Sequence, residues 1–194
     1  MKLYLSIGLS VLLFSSSAIA EDIKTLLDKV QQYNSEGNYS KALEELTWVK
    51  KELETKYMSK LGDFLPETLA GYTGGKVSTS SALGMNQVSK TYKNGANVAD
   101  IEINSGSAGG ASAGMGGLAA LGQMAAMFGQ QPGQSTLRIK GRTANLQEEN
   151  GQMTLFLDGG TMINIKKSSG TVDFKAIAEA LDFDAIEKFM KGAS

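Results

Sequence analysis

The hydrophobic period of the chain changes near Lys76, and this change constrains the fold more than any other feature of the sequence. Before it, apolar residues recur at steps of three and four; after it, they alternate with polar residues. The first spacing is typical of an amphipathic helix and the second of a half-buried strand. The sequence therefore predicts an α+β protein in which a helical segment precedes an antiparallel sheet.

The helical pattern covers residues 21–61. Two apolar stripes occur there, separated by turn-forming residues from Asn34 to Asn38, so we expect a helical hairpin. The hairpin resembles a single tetratricopeptide repeat, on the residues Tyr33, Gly37, Tyr39, Ala42, Leu46 and Val49. Such repeats need about three or more copies to bury their faces, so one copy does not imply a peptide-binding groove.

Residues 62–75 form a predicted linker. Pro66 cannot continue the preceding helix, and we expect Leu65 and Leu69 to reach the core. Residues 76–194 then form a predicted antiparallel α+β domain that ends in helices.

Glycine-containing turns predict three strand pairings in this domain. A two-residue turn at Asn94-Gly95 would place Val88 opposite Ile101. A two-residue turn at Asn150-Gly151 would pair two further positions of the sheet, Leu146 with Leu155 and Ala144 with Leu157. A three-residue loop at Gly159-Gly160 would give the remaining pairings, Leu157 with Ile163 and Leu155 with Ile165.

The C-terminal region predicts two short helices with a break near Asp182. The motif Asp173 to Ile177 recurs nine residues later as Asp182 to Ile186. Asp184 and Glu187 have the spacing of an N-cap residue and its partner. We therefore expect Asp184 to cap the last helix.

An uncharged segment, residues 105–135, separates the strands. It lies in a stretch of 35 residues between Glu102 and Arg138 without a charged side chain, rich in Gly, Ala and Met. One interpretation is a crossover helix packed closely on the sheet, after a glycine-rich loop. Another is a contact surface for a partner or a lipid, formed by six apolar residues: Met115, Leu118, Leu121, Met124, Met127 and Phe128.

The same segment leaves two other interpretations open. Its length and its small-residue spacing permit shallow insertion into a membrane surface. Thioethers also favour Cu(I), and Met115, Met124 and Met127 could supply three of them.

Residues 1–20 have the pattern of a secretory signal peptide. A basic start precedes an apolar stretch, and Ala18-Ile19-Ala20 predicts cleavage between Ala20 and Glu21. The chain has no Cys, which excludes a lipoprotein anchor and disulfides. We expect a periplasmic or secreted protein.

The side-chain inventory argues against catalysis. With neither His nor Cys, the chain cannot build thiolate nucleophiles, imidazole bases or the usual zinc sites. Adjacent Ser-Lys pairs such as Ser59-Lys60 and Ser89-Lys90 point apart in helices and strands, so neither forms a dyad by itself. A net charge of −1 gives no field for nucleic acid. No cofactor is expected.

The order of elements in residues 70–190 resembles the Mog1/PsbP architecture, an α/β/α sandwich around an antiparallel sheet. The residues that carry this resemblance are 77–103, 137–144 and 154–166. The runs 65–72 and 89–95, with the uncharged segment, also resemble an exported bacterial family of unknown function. The Mog1/PsbP resemblance implies a binding or assembly role. We therefore expect a non-enzymatic module that binds an envelope protein; the alternatives are a membrane-surface or apolar-ligand protein and Met-based Cu(I) binding.

Overall fold

The computed structural model describes residues 22–82, 85–106 and 134–192, and it confirms the α+β class. The chain divides into two compact units, Met1–Glu52 and Leu53–Ser194. No helix in the described ranges has the length and apolar character needed to cross a bilayer. The predicted crossover helix lies outside these ranges.

The first unit contains the predicted helical hairpin. Helix α1 spans Ile23–Ser35, and helix α2, Tyr39–Gly62, begins in this unit and continues into the second. Gly37 lies between the helices with a φ of +71°, a left-handed conformation that glycine adopts without a steric penalty. The backbone N–H of Asn38 donates to the carbonyl of Tyr33 at 2.8 Å and closes the turn.

The second unit contains one antiparallel sheet of eight described strands in the order β1-β2-β3-β4-β8-β7-β6-β5. The strands are β1 Thr68–Leu69, β2 Tyr72–Ala82, β3 Met85–Asn94, β4 Asn97–Gly106, β5 Gln134–Ile139, β6 Arg142–Gln147, β7 Gln152–Phe156 and β8 Met162–Ser169. Two helices follow, α3 Phe174–Ala180 and α4 Phe183–Met190. Both β1 and the start of β2 fall within the range predicted as a linker.

The core lies on one face of this sheet. Alternate strand residues such as Val88, Ile103 and Ile163 are completely buried there. Side chains from the end of α2, the turn after it, strand β1 and the C-terminal helical region join the same cluster: Leu61, Leu65, Leu69, Ile177, Ala178, Leu181, Phe183 and Ile186. The expectation that Leu65 and Leu69 reach the core is therefore confirmed.

The predicted register of the first hairpin is wrong by two residues. Asn94 pairs with Asn97, so the turn residues are Gly95 and Ala96, and Val88 lies opposite Ile103 rather than Ile101. Gly95 has a φ of +59°, which suits the first central position of a type II′ turn. Glycine therefore occupies the first turn position rather than the second.

The second predicted register is wrong for a related reason. Gln147 pairs with Gln152, which leaves a four-residue turn closed by a hydrogen bond from the Gly151 N–H to the Glu148 carbonyl at 3.1 Å. Glu148 and Glu149 thus belong to the turn and not to the strands. The observed partners are Leu146 with Met153, and Ala144 with Leu155.

The third loop is longer than predicted. It runs from Leu157 to Thr161, where the N–H of Leu157 donates to the carbonyl of Thr161 at 2.9 Å. Phe156 pairs with Met162, so the loop has five residues, and Gly159 and Gly160 within it have positive φ. Two predicted pairs therefore change: Ile163 faces Leu155 rather than Leu157, and Ile165 faces Met153 rather than Leu155.

The two C-terminal helices and the break between them are confirmed, but the predicted cap is wrong. Asp182, not Asp184, caps α4, because its side chain accepts from the N–H of Ala185 at 3.0 Å. Asp173 caps α3 in the same way, with the N–H of Ala176 at 2.9 Å. The nine-residue repeat is therefore a repeat of two helix caps.

Candidate functional site

The six apolar residues predicted as a contact surface lie outside the described ranges. They are Met115, Leu118, Leu121, Met124, Met127 and Phe128. Partner contact, lipid contact and copper binding by this segment therefore stay predictions. Candidate sites can be built from two other regions, one in each unit.

The first region is an exposed apolar surface on the helical hairpin. Tyr39, Leu43 and Leu46 follow each other at steps of four and three along α2 and so lie on one helix face, which we name the α2 stripe. These side chains are 65%, 64% and 43% exposed. The neighbouring positions Ala42 and Val49 are buried. The covered face of α2 is thus adjacent to the stripe.

The hairpin exposes more large apolar side chains than it buries. Besides the α2 stripe, Leu27 is 41% and Trp48 is 49% exposed, whereas the buried apolar residues described in this unit are Leu26, Ala42 and Val49. Lys51 Nζ lies 4.9 Å from the centroid of the Trp48 ring, close enough for a cation–π contact. An excess of exposed over buried large apolar side chains is unusual for a surface that stays in water.

The second region is a pocket of about 520 Å³ in the second unit. Its walls come from the end of α2, the turn after it and strands β2 and β3. The lining residues are Thr55, Ser59, Gly62, Asp63, Leu65, Pro66, Glu67, Val77, Thr79 and Lys90. A volume of this size is within the range of small-molecule sites.

Lys90 is the buried cation of this pocket, at only 7% exposure. Its Nζ donates to the carbonyl of Leu65 at 3.0 Å and lies 5.8 Å from the centroid of the Tyr92 ring. Among the residues that the structure describes, no carboxylate forms an ion pair with it. The ammonium therefore has donors to spare.

The backbone of β2 makes room for Lys90. A Cβ on Gly74 would lie 2.4 Å from Lys90 Cε and 3.1 Å from its Nζ, so a larger residue there would displace the amine. The register of β2 against β3 shifts between Gly74 and Val77, which places this glycine at an irregularity of the sheet. The position of Lys90 is thus built by the strand next to it.

Among the residues that the structure describes, no other side chain of the pocket hydrogen-bonds to Lys90. Ser59 lines the same pocket, but the hydrogen-bond acceptor recorded for Lys90 within the described ranges is the Leu65 carbonyl. Asp63 is exposed and pairs with Lys60 at 3.3 Å. In the ranges given above, no three acidic side chains converge as metal ligands. The buried ammonium of Lys90 and the space beside it are suited to holding an anion.

A second charged cluster joins α4 to the sheet. Arg142 of β6 contacts both Asp184 and Glu187, and the backbone N–H of Asp158 donates to Glu187 at 3.1 Å. The hydrogen bonds from Arg142 lower the pKa of Glu187, although burial opposes this. The same bonds raise the pKa of Arg142. The Arg142 guanidinium, the two carboxylates and the Asp158 N–H are all paired within the cluster, which therefore fastens the helix, the strand and the loop.

A third polar cluster lies beside the core, around Tyr57 of α2. Burial raises the pKa of Tyr57, whose hydroxyl donates to Met190 Sδ at 3.0 Å, and whose ring stacks on Phe189. The Ser105 hydroxyl lies near enough to oppose that rise, yet it makes no hydrogen bond of standard geometry with any of the described residues. The amide of Asn86, paired across the strands with Ser105, is buried without a partner in the described part of the chain.

Comparison with protein families, with curated proteins and with solved structures gave no match.

Proposed function

We propose that the protein is a non-enzymatic binding or assembly module of the bacterial cell envelope. The observation that carries this proposal is the exposed apolar surface of the helical hairpin, above all the α2 stripe. Exposed apolar surface costs free energy in water, and burying it against a partner recovers about 25 cal/mol for each Å² covered. Contiguous surface of this kind marks interaction sites on soluble proteins.

The chemistry of the α2 stripe favours a protein partner with a helix. Tyr39, Leu43 and Leu46 present one ridge of a helix, which fits the groove of a second helix packed along it. Tyr is also among the residues that dominate binding energy at protein interfaces, and Tyr39 is the most exposed side chain of the stripe. The partner class is therefore an envelope protein that offers an amphipathic helix.

The predicted signal peptide supports the location in this proposal. Residues 1–20 have the signal-peptide pattern, with cleavage proposed between Ala20 and Glu21. The site of action is then the periplasm or the exterior. In this proposal, residues 105–135 supply a second contact surface.

The architecture of the second unit supports the role by analogy. We propose that it is a variant of the Mog1/PsbP-like architecture, because both combine an antiparallel sheet with packed helices; here the described helical segments join the core on one face of the sheet. Membership in an exported bacterial family of unknown function is part of the same proposal. Proteins of the Mog1/PsbP-like architecture mostly act as binding or assembly factors.

Affinity capture from envelope extracts tests the partner. Leu43→Lys places a charge on the α2 stripe, and Glu44→Lys introduces the same residue at the next exposed position, about 100° around the helix. We expect wild type and Glu44→Lys to retain one envelope protein that Leu43→Lys loses. Capture that is indifferent to Leu43→Lys contradicts the proposal.

A vesicle assay separates this proposal from its main alternative. The membrane-surface reading predicts flotation of the protein with phospholipid vesicles. If flotation occurs and is lost in Leu43→Lys, the stripe binds lipid and the protein-partner proposal is wrong. If the protein does not float while capture depends on Leu43, the proposal stands.

A further inference from the structure

We infer that the pocket beside Lys90 binds the carboxylate of a small zwitterionic ligand, in the class of amino acids and short peptides. This inference concerns the second unit and is independent of the α2 stripe. It rests on a buried cation with unused donors, on the space next to it, and on the charges around that space.

Burial gives Lys90 its affinity for an anion. An ammonium removed from water loses its hydration, and one carbonyl at 3.0 Å replaces only part of it. In the described ranges no carboxylate supplies the rest. A bound anion would satisfy the remaining donors in a setting where charge-assisted hydrogen bonds are strong.

The open volume beside Lys90 favours a site over a simple tie between Lys90 and the turn after α2. The missing side chain at Gly74 keeps the space that Lys90 Cε and Nζ occupy, which either role requires. Lys90 also lines a pocket of about 520 Å³ together with Ser59 and Thr79, whose hydroxyls can donate to a bound oxyanion. A lysine that only held the turn would not need this pocket.

The acidic residues of the pocket favour a ligand that carries a positive charge in addition to its carboxylate. Asp63 and Glu67 both line the pocket and both are exposed, while Lys90 is buried. A dianion such as phosphate would be repelled by these two carboxylates. Asp63 already pairs with Lys60, which leaves Glu67 to face the ammonium of a ligand whose carboxylate binds Lys90. Leu65, Pro66 and Val77 contribute apolar wall to the same pocket.

The test is an amide-resolved NMR titration of the isotope-labelled protein. The probes are glycylglycine, acetate, glycinamide and inorganic phosphate. We expect saturable shifts at Ser59, Thr79 and Lys90 with glycylglycine, weaker binding of acetate and none of glycinamide, which lacks the carboxylate. Absence of saturable shifts with glycylglycine overturns the site. Tighter binding of phosphate overturns the zwitterion.

Matched variants assign the binding to Lys90. Lys90→Met removes the positive charge and keeps an unbranched apolar side chain. Gly74→Ala keeps Lys90 but displaces its amine. Each should weaken glycylglycine binding by about tenfold or more, the loss expected for a charged hydrogen bond. Gly75→Ala and Lys93→Met, on the same two strands, are the controls and should bind as wild type. Unchanged binding in a folded Lys90→Met or Gly74→Ala protein contradicts the inference, and Leu43→Lys should not alter the titration.

Discussion

Arg142 and Glu187 form a two-point ion pair between strand β6 and helix α4. Arg142 Nε donates to Glu187 Oε1 at 3.1 Å, and Nη2 donates to Oε2 at 2.6 Å. Glu187 is only 6% exposed, and its Oε1 also accepts from the backbone N–H of Asp158 at 3.1 Å. One carboxylate thus holds the last helix to the sheet and to the loop before β8.

Replacing Glu187 with Gln should destabilise the protein in a pH-dependent way. The variant leaves Arg142 without its buried counter-charge, and we expect the free energy of unfolding at pH 7 to fall by about 2 kcal/mol. Because Arg142 lowers the pKa of Glu187 in the folded protein below the ordinary 4.5, protonation favours unfolding. The contribution is complete above about pH 4.5 and disappears as the pH falls through the folded-state pKa.

Urea denaturation at pH 7 and at successively lower pH measures this difference. The gap between wild type and Glu187→Gln should close as the solution becomes acidic. Glu179→Gln is the control, since Glu179 belongs to an exposed pair with Lys175 at 3.8 Å and should change stability by less than about 0.5 kcal/mol. A gap that stays constant with pH would show that Glu187 does not act through its charge.

Removing the cap of α4 should weaken that helix. Asp182→Ala deletes the acceptor of the Ala185 N–H, and the expected loss is about 1 kcal/mol. Asp182→Asn retains an effective cap and should lose much less. Thermal unfolding of the three proteins checks the order; equal stability of the Ala and Asn variants would contradict the capping role.

Periodicity could predict the elements of this fold, because it reflects which faces of a helix or strand are buried. It could not place the turns. Asn94-Gly95 satisfies the preference of one turn type and Gly95-Ala96 that of another, and only the packed sheet decides between them. Each misplaced turn shifts the pairing of its two strands by two residues. The predicted pairs are therefore wrong, but each side chain still lies on the predicted face of the sheet.

Engineered disulfides should distinguish the observed register from the predicted one. The chain has no Cys, so any disulfide is the introduced one. Ser89 lies directly opposite Glu102, whereas the Asn94-Gly95 turn would have placed it opposite Asp100. Ser89→Cys with Glu102→Cys should oxidise readily because directly opposed Cα atoms are about 5 Å apart. Faster oxidation of Ser89→Cys with Asp100→Cys would contradict the structure.

The candidate sites were only partly accessible from the sequence. The helical pattern of residues 39–57 includes Ala42, Leu46 and Val49, but it does not tell which of these a second helix covers; the structure buries Ala42 and Val49 and exposes Leu46. Lys90 carried a signal that alternation could have revealed, since it shares the strand face of Val88 and Tyr92. The glycine that makes its space lies on another strand, and such a contact between distant residues leaves no local pattern.

Photo-crosslinking in intact cells tests the central claim most directly. A photoreactive residue replaces Leu46 on the α2 stripe or Lys51 on another side of the helix, and crosslinked products are identified by mass spectrometry. We predict that the Leu46 position forms a discrete adduct with one envelope protein and that the Lys51 position does not. No adduct at Leu46, or the same products from both positions, would contradict the account.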